Sequence, residues 1–212
     1  MSEVEFVGFP SLARLNRDMT ITEKIDGTNA GVHVTPLIPY DDMMDWGDDR
    51  GVVTVGGSTY RVTAQSRKRL IYPGDDNFGF ASWVEKNGKD LAKVLGEGLH
   101  FGEWWGSGVQ RGYGLTKGER RFSLFNTLRW RDTNLSEVEG LGMVPELFVG
   151  SFSTNTIETV KYELQVTGSQ ASKGFMNPEG LVVFHHASRS AYKTTYDDCD
   201  DYGHGGGKTW TK

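Results

Sequence analysis

One short stretch places a lysine where it could act as a covalent nucleophile. Residues 23–29 read EKIDGTN, so Lys24 stands between Glu23 and Asp26, with a glycine directly after the aspartate. Alternating apolar residues at 19–22 and 31–34 predict two strands that meet at this stretch. A lysine at a strand end, beside carboxylates and a flexible turn, can attack an electrophile once it is uncharged. The same residues also fit a surface hairpin in which Asp-Gly only supplies the turn.

Five further segments each place a polar or aromatic side chain at a strand end or within an apolar run. In chain order they are QSR at 65–67, FGEWWG at 101–106, FSLFN at 122–126, PEGLVVFH at 178–185 and AYK at 191–193. A carboxylate in an aromatic strand is suited to accept hydrogen bonds from hydroxyl groups. A carboxylate before a buried strand offers the oxygen that a hard cation such as Mg²⁺ prefers.

Each of these residues also has a purely structural interpretation. Glu103 could lie at the rim of a sheet with its carboxylate in solvent, and Glu179 could be an ordinary turn residue. Lys193, taken alone, is typical of an exposed lysine on an edge strand. Phe122 and Phe125 are three residues apart and so point to opposite faces of a predicted strand, which leaves one for the core and one to stack on a base.

The elements that must position these side chains form an α+β pattern. Residues 52–55 and 59–64 predict a hairpin around two glycines, and residues 80–95 predict a helix interrupted near Asn87 and Gly88. One strand is expected at 121–128.

An edge strand with a proline is expected at 143–149, and a helix at 155–166 with Asn155 or Thr154 as its N-cap. With about eight strands and two or three helices, we expect packed, mostly antiparallel sheets flanked by helices.

Composition and charge restrict the class of protein. The 212 residues are 37% hydrophobic and 24% charged, which is typical of a globular chain with a buried core. There is no apolar run that could span a membrane and no signal-peptide pattern, and Cys199 is the single cysteine, so we expect a cytoplasmic protein without a membrane partner. The net charge of −5 means that any nucleic-acid contact must use a local basic patch, such as 67–69 or 120–121.

The ordered set of segments resembles the covalent nucleotidyltransferase superfamily of nucleic-acid ligases and mRNA capping enzymes. It is most similar to phage-type ATP-dependent RNA ligases, whose first motif has a Lys-x-Asp/His-Gly core followed by Thr-Asn. The stretch DNFGFASWV at 76–84 also resembles that group, and the likeness covers roughly residues 20–196. It implies that an enzyme lysine takes AMP from ATP, that AMP moves to a nucleic-acid 5′-phosphate, and that a 3′-hydroxyl then displaces AMP and seals the break.

The resemblance also implies a role for each matching residue. Lys24 would carry AMP, Lys193 would contact phosphate, and Glu179 would lie near the phosphate or bind the metal. Glu103 would bind the ribose hydroxyls and Phe125 would stack on adenine.

Three further residues match positions near the nucleotide in this family. Arg67 would contact the ribose or the 5′-phosphate, and Asn29 would help to recognise the nucleotide or the nucleic-acid end. Glu23 would belong to the nucleotide site. The implied cofactors are ATP with Mg²⁺ or Mn²⁺, and the implied partners are single-stranded or nicked RNA ends, with DNA as a further candidate.

The implied organisation is an ATP-grasp-like adenylyltransferase domain over 1–196, followed by an acidic and then Gly-rich tail at 197–212 without a separate nucleic-acid-binding domain. One departure from the family is Thr195, which stands where the fifth motif usually has its second lysine; another is Asn126, which follows Phe125 where the family has aspartate. Four alternatives stay open: a compact DNA ligase, a capping guanylyltransferase, a non-catalytic domain that binds nucleotide or nucleic acid, and an α+β domain with accidental motifs.

Overall fold

The computed structural model describes residues 5–37 and 49–196 as two mostly antiparallel sheets with helices packed against them. The predicted α+β class is therefore confirmed. Residues 38–48 and all of the predicted tail at 197–212, with Cys199, lie outside the described residues. Within the described ranges, no helix is long and apolar enough to cross a membrane.

The larger sheet has seven strands: β2 (Thr28–Pro36), β3 (Val52–Val55), β4 (Ser58–Ser66), β5 (Leu70–Ile71), β6 (Gly98–Gly106), β7 (Arg120–Leu124) and β8 (Leu141–Met143). Their order is β3-β4-β2-β6-β7-β8, with β5 paired to β4 and only β7 and β8 parallel. The helix α1 (Phe80–Leu95) packs on one face, where Ala30, Val32 and Val34 of β2 are buried. Because side chains alternate along a strand, Asn29, Gly31 and His33 belong to the opposite face, which we call the cleft face.

The smaller sheet has four strands: β1 (Asp18–Lys24), β9 (Glu146–Ser151), β10 (Gly180–His185) and β11 (Ser190–Thr195), in the order β11-β10-β1-β9. The helix α3 (Thr154–Thr167) packs Val160 and Leu164 against Met19 and Ile21 of β1. A short helix α2 (Thr127–Trp130) follows β7. The loop after β1 leads directly into β2, so the EKIDGTN stretch joins the two sheets.

Several local predictions were wrong in instructive ways. Helix α1 is continuous through Gly88, which is buried where the helix approaches Val53 and Val62 of the sheet. The predicted strand 121–128 ends at Leu124, and its last residues turn into α2. The N-cap of α3 is Ser153, whose hydroxyl accepts a hydrogen bond from the Thr156 backbone N–H.

The predicted strand 143–149 is two strands in different sheets. The chain leaves β8 at Met143 and enters β9 at Glu146, so Pro145 lies at the crossing. The carbonyl of Pro145 accepts a hydrogen bond from the backbone N–H of Glu23. The structure also contains eleven strands and three α-helices in its described part, more strands than the sequence suggested.

Candidate active site

Lys24 is the last residue of β1, and its side chain forms an ion pair with Glu179. The Lys24 Nζ and Glu179 Oε2 atoms are 2.6 Å apart, with 24% and 16% of the two side chains exposed. Lys24 lies opposite Gly180 in the β1–β10 ladder, so the residue just before β10 is held beside it. Both groups are screened from water but still open to a ligand.

Glu103 approaches this pair from the larger sheet. It lies on the cleft face of β6, opposite Asn29 of β2. Burial raises the pKa of the Glu103 carboxyl to about 7, with the positive charge of Lys24 lowering it and the negative charge of Glu179 raising it. Arg67, exposed just after β4, also lowers that pKa. The two sheets therefore bring Lys24, Glu179, Glu103 and Arg67 to one electrostatically coupled site.

The raised pKa of Glu103 predicts a pH-dependent stability effect. A carboxyl whose pKa is raised from 4.5 to about 7 binds its proton more tightly in the folded protein, so its burial costs stability progressively as pH rises through that window. Glu103→Gln should therefore raise the free energy of unfolding by about 2 kcal/mol at pH 8 and leave it nearly unchanged at pH 4.5. Thermal unfolding at the two pH values measures this, with exposed Glu97→Gln as the control. An equal gain at both pH values would contradict the prediction.

Phe125 and Lys193 lie on the two sheet faces that carry Glu103 and Lys24. Phe125 follows β7, where its backbone N–H donates to the Phe101 carbonyl, and its side chain is 40% exposed. Lys193 is exposed on β11 and lies opposite Val182 of β10. Val182 in turn lies opposite Thr22 of β1. Because Thr22 and Lys24 share a face of β1, Lys193 lies on the Lys24 face of the smaller sheet.

Glu23 is placed differently from the rest. Its side chain is fully buried on the face of β1 opposite Lys24, and burial raises its pKa. One carboxylate oxygen accepts hydrogen bonds from the backbone N–H groups of Gln170 and Ala171, at 2.7 and 3.0 Å. The Glu23 carboxylate therefore fixes the loop after α3, and only its backbone remains next to Lys24.

A network that the sequence analysis did not single out holds the turn after Lys24. Arg111 Nε donates to Asp26 Oδ2 at 3.0 Å, and Arg111 Nη1 donates to Asn177 Oδ1 at 3.1 Å. The buried Tyr113 hydroxyl accepts a hydrogen bond from the Asp26 backbone N–H, and burial raises the Tyr113 pKa. The network ties the turn after Lys24 both to the loop after β6 and to the segment that carries Glu179. In the sequence, this network was marked only by the Gly-rich composition of residues 106–118.

The carboxylates of the site do not by themselves form a metal cage. Among residues 5–37 and 49–196, no group of three or more His, Cys, Asp or Glu side chains could hold a metal ion. Glu179 offers one carboxylate at the mouth of the cleft. Mg²⁺ is commonly bound by one or two carboxylates together with water and substrate phosphates, and this arrangement fits that mode.

Comparison with known proteins gives a family match and a group of structural neighbours. The family model described as RNA ligase matches residues 17–195. An RNA ligase from Naegleria gruberi with PPi is similar in structure, with a TM-score of 0.54 and 15% identity over 89% of this chain and 52% of that one. A mutant of that ligase with ATP and Mn gives a TM-score of 0.52 and 14% identity over 88% and 52%. The chain thus spans about half the length of these neighbours, and no curated protein matches it.

Proposed function

Because the chain belongs to the RNA ligase family, as the match over residues 17–195 establishes, we propose that it joins RNA 5′-phosphate and 3′-hydroxyl ends with ATP through a lysyl-AMP intermediate. Residues 17–195 would be the nucleotidyltransferase domain. The observation that carries the proposal is the partly screened Lys24–Glu179 pair, with Glu103 held beside it from the other sheet.

The first step is covalent catalysis at Lys24. Its Nζ, once deprotonated, attacks the α-phosphorus of ATP; an N–P bond forms, the P–O bond to the β-phosphate breaks, and pyrophosphate leaves. Glu179, 2.6 Å away, is within reach to take the proton or to pass it to water. A metal ion bound at Glu179 would supply positive charge to the phosphates. The Mn in structures of the Naegleria ligase supports Mn²⁺ or Mg²⁺ in this role.

The nucleotide is held by residues from both sheets. Glu103 would accept hydrogen bonds from the ribose hydroxyls, and Phe125 would stack on the base. Lys193, on the Lys24 face, would bind phosphate. Arg67 and Asn29 lie at the end of the larger sheet nearest Lys24, where they would meet the 5′-phosphate or the ribose.

In the second and third steps the AMP group changes acceptor. An oxygen of the RNA 5′-phosphate attacks the phosphorus of lysyl-AMP and frees Lys24. The RNA 3′-hydroxyl then attacks the activated 5′-phosphate, and AMP leaves as the new phosphodiester forms. The exposed Arg67 and Lys68 place positive charge next to the cleft, which suits a phosphate backbone despite the acidic whole chain.

Two measurements on the wild-type chain test this function. Intact mass after incubation with ATP and Mg²⁺ or Mn²⁺ should rise by one AMP, and added pyrophosphate should reverse the gain. Labelled RNA with a 5′-phosphate and a 3′-hydroxyl should then be joined, faster than a matched DNA nick.

Other outcomes identify the alternatives. Preferential labelling by GTP would indicate a guanylyltransferase, and faster joining of the DNA nick would indicate a DNA ligase. Nucleotide binding without any mass gain would indicate a non-catalytic domain. The non-catalytic alternative stays in the test because of Thr195. This residue stands at the position of the family's second lysine and is only 6% exposed.

A further inference from the structure

A buried lysine of α3 reaches the end of β11 from the helix side of the smaller sheet. The Nζ atom of Lys161 donates hydrogen bonds to the Thr194 hydroxyl and to the Thr195 carbonyl, both at 3.0 Å. The ring of Tyr196 has its centroid 5.5 Å from the same ammonium. Withdrawing an ammonium from water is costly, and an apolar side chain next to Val160 of the core would fill this place without that cost. The charge and its donors therefore indicate a role other than packing.

The end of β11 lies in the same row of the smaller sheet as the proposed nucleophile. Thr195 is opposite Gly180 in the β10–β11 ladder, and Gly180 is opposite Lys24 in the β1–β10 ladder. The contact between β11 and Gly180 is tight, because a Cβ atom there would overlap the Thr194 carbonyl oxygen and lie 2.7 Å from Thr195 Cα. A shift at the end of β11 is therefore passed directly to the start of β10, and the residue before that strand moves with it.

A second connection runs from the same lysine to Glu179. The Tyr196 hydroxyl donates to the Lys161 carbonyl at 2.6 Å, and the Tyr196 backbone N–H donates to the Glu179 carbonyl at 3.1 Å. Lys161 therefore holds residues 194–196 both through its ammonium and through its backbone. Because the Glu179 backbone is bonded to that stretch, the carboxylate that pairs with Lys24 extends from a fixed base.

The departure from the family at Thr195 bears on this anchor. Where the resemblance leads us to expect a second lysine, the chain has a buried threonine. Its side chain lies on the Lys24 face, because residues opposite each other in a sheet share a face. The Lys161 ammonium reaches residue 195 from the other face and bonds its backbone. It does not meet a phosphate in the cleft, so any effect on the reaction passes through the strand.

We infer that Lys161 is a positioning residue, which fixes the end of β11 so that the Glu179 carboxylate stays aligned with Lys24 during attack on the α-phosphorus. The inference rests on the proposed function and extends it to a residue outside the cleft. A displacement near 1 Å is enough to slow such a step about a hundredfold. Loss of the anchor should therefore lower the maximal rate of adduct formation. The ATP concentration that gives half of that rate should change little, because Lys161 lies on the side of the sheet away from the nucleotide.

The test follows adduct formation by intact mass over a range of ATP concentrations, with the thermal midpoint of each protein measured alongside. In Lys161→Met the side chain keeps its length and loses its charge and donors, whereas Lys161→Arg keeps both. Val160→Ala is the matched structural control, because it opens a cavity in the core at the neighbouring position of α3. Tyr196→Phe is an independent variant that removes only the hydrogen bond to the Lys161 carbonyl.

We expect the maximal rate of Lys161→Met to fall roughly tenfold to a hundredfold, with the half-saturating ATP concentration within about twofold of wild type. Its thermal midpoint should stay close to that of wild type, since replacing a buried charge by an apolar side chain is often neutral for stability. Lys161→Arg should recover most of the lost rate, and Tyr196→Phe should lose about threefold to tenfold. Val160→Ala should show the reverse pattern, with a lower midpoint and the wild-type rate in the folded protein.

Failure of the inference differs from failure of the proposed function. If wild type forms the AMP adduct and Lys161→Met keeps the maximal rate, or loses only affinity for ATP, the positioning role is wrong and the ligase proposal stands. The same holds if Lys161→Arg is no faster than Lys161→Met, or if Val160→Ala slows the reaction as much. Should Lys161→Met fail to fold, an unchanged rate in Tyr196→Phe overturns the inference. A wild-type chain that gains no AMP overturns both.

Discussion

Lys24→Arg should abolish attachment of AMP to the protein while leaving its fold intact. Arginine keeps the positive charge beside Glu179, so the ion pair that Lys24 forms in the cleft can be maintained. Its guanidinium does not lose a proton in proteins, so it cannot supply the nitrogen that attacks the α-phosphorus. We expect the rate of adduct formation, followed by intact mass, to fall to less than roughly one thousandth of the wild-type rate.

The comparison variants separate loss of the nucleophile from loss of structure. Lys86→Ala removes an exposed lysine of α1, far from the cleft, and should label like wild type. Lys24→Ala should also lose the adduct, but it additionally leaves the Glu179 carboxylate without its partner. If Lys24→Arg still gains AMP, the covalent bond is at another residue and the proposed mechanism is wrong. The N–P bond can be verified on wild type, because a phosphoramidate hydrolyses in acid and survives alkali.

The candidate site could be predicted from sequence where each residue is tied to a short local pattern. Lys24 lies at the end of an alternating run, and Glu179 directly precedes a buried strand, so both positions follow from strand boundaries within a few residues. The contact between Lys24 and Glu179 does not follow from local patterns, because the two residues are 155 positions apart and are brought together by the pairing of β1 with β10. The ordered motifs supplied that long-range information through the resemblance to a family.

Which face of a strand meets the core, and which remote residues pair, were beyond the sequence. Glu23 and Lys24 are adjacent, yet alternation along β1 sends one into the core and the other into the cleft. Arg111 is 85 residues from Asp26, and nothing local indicates that they pair. Phe125 was placed on a strand, whereas the strand ends one residue earlier; the ring still lies at the cleft because the next backbone hydrogen bond, to Phe101, continues the ladder.

Gly27 is the second position where a single substitution should have a large effect. The turn after Lys24 passes so close to β6 that a Cβ at Gly27 would lie 2.4 Å from the Trp104 carbonyl oxygen and 2.8 Å from Trp105 Cβ. Neither atom can move freely, because Thr28 is paired with Trp104 and the Trp105 side chain is buried. The glycine is therefore required by close approach of two backbones.

Gly27→Ala must push the turn after Lys24 away from β6, and the contact with Glu103 Cγ at 3.0 Å means that the carboxylate is displaced as well. We expect a loss of about 2–4 kcal/mol in the free energy of unfolding, seen as a fall of roughly 5–15 °C in the thermal midpoint. The adduct rate of the folded fraction should fall about a hundredfold, since a displacement near 1 Å is enough to disturb attack. Gly142→Ala is the matched control, because a Cβ there has open space. Should the Gly27→Ala protein melt like wild type and label at the wild-type rate, the turn is not held against β6 as described, and the joining of the two sheets at Lys24 would need another explanation.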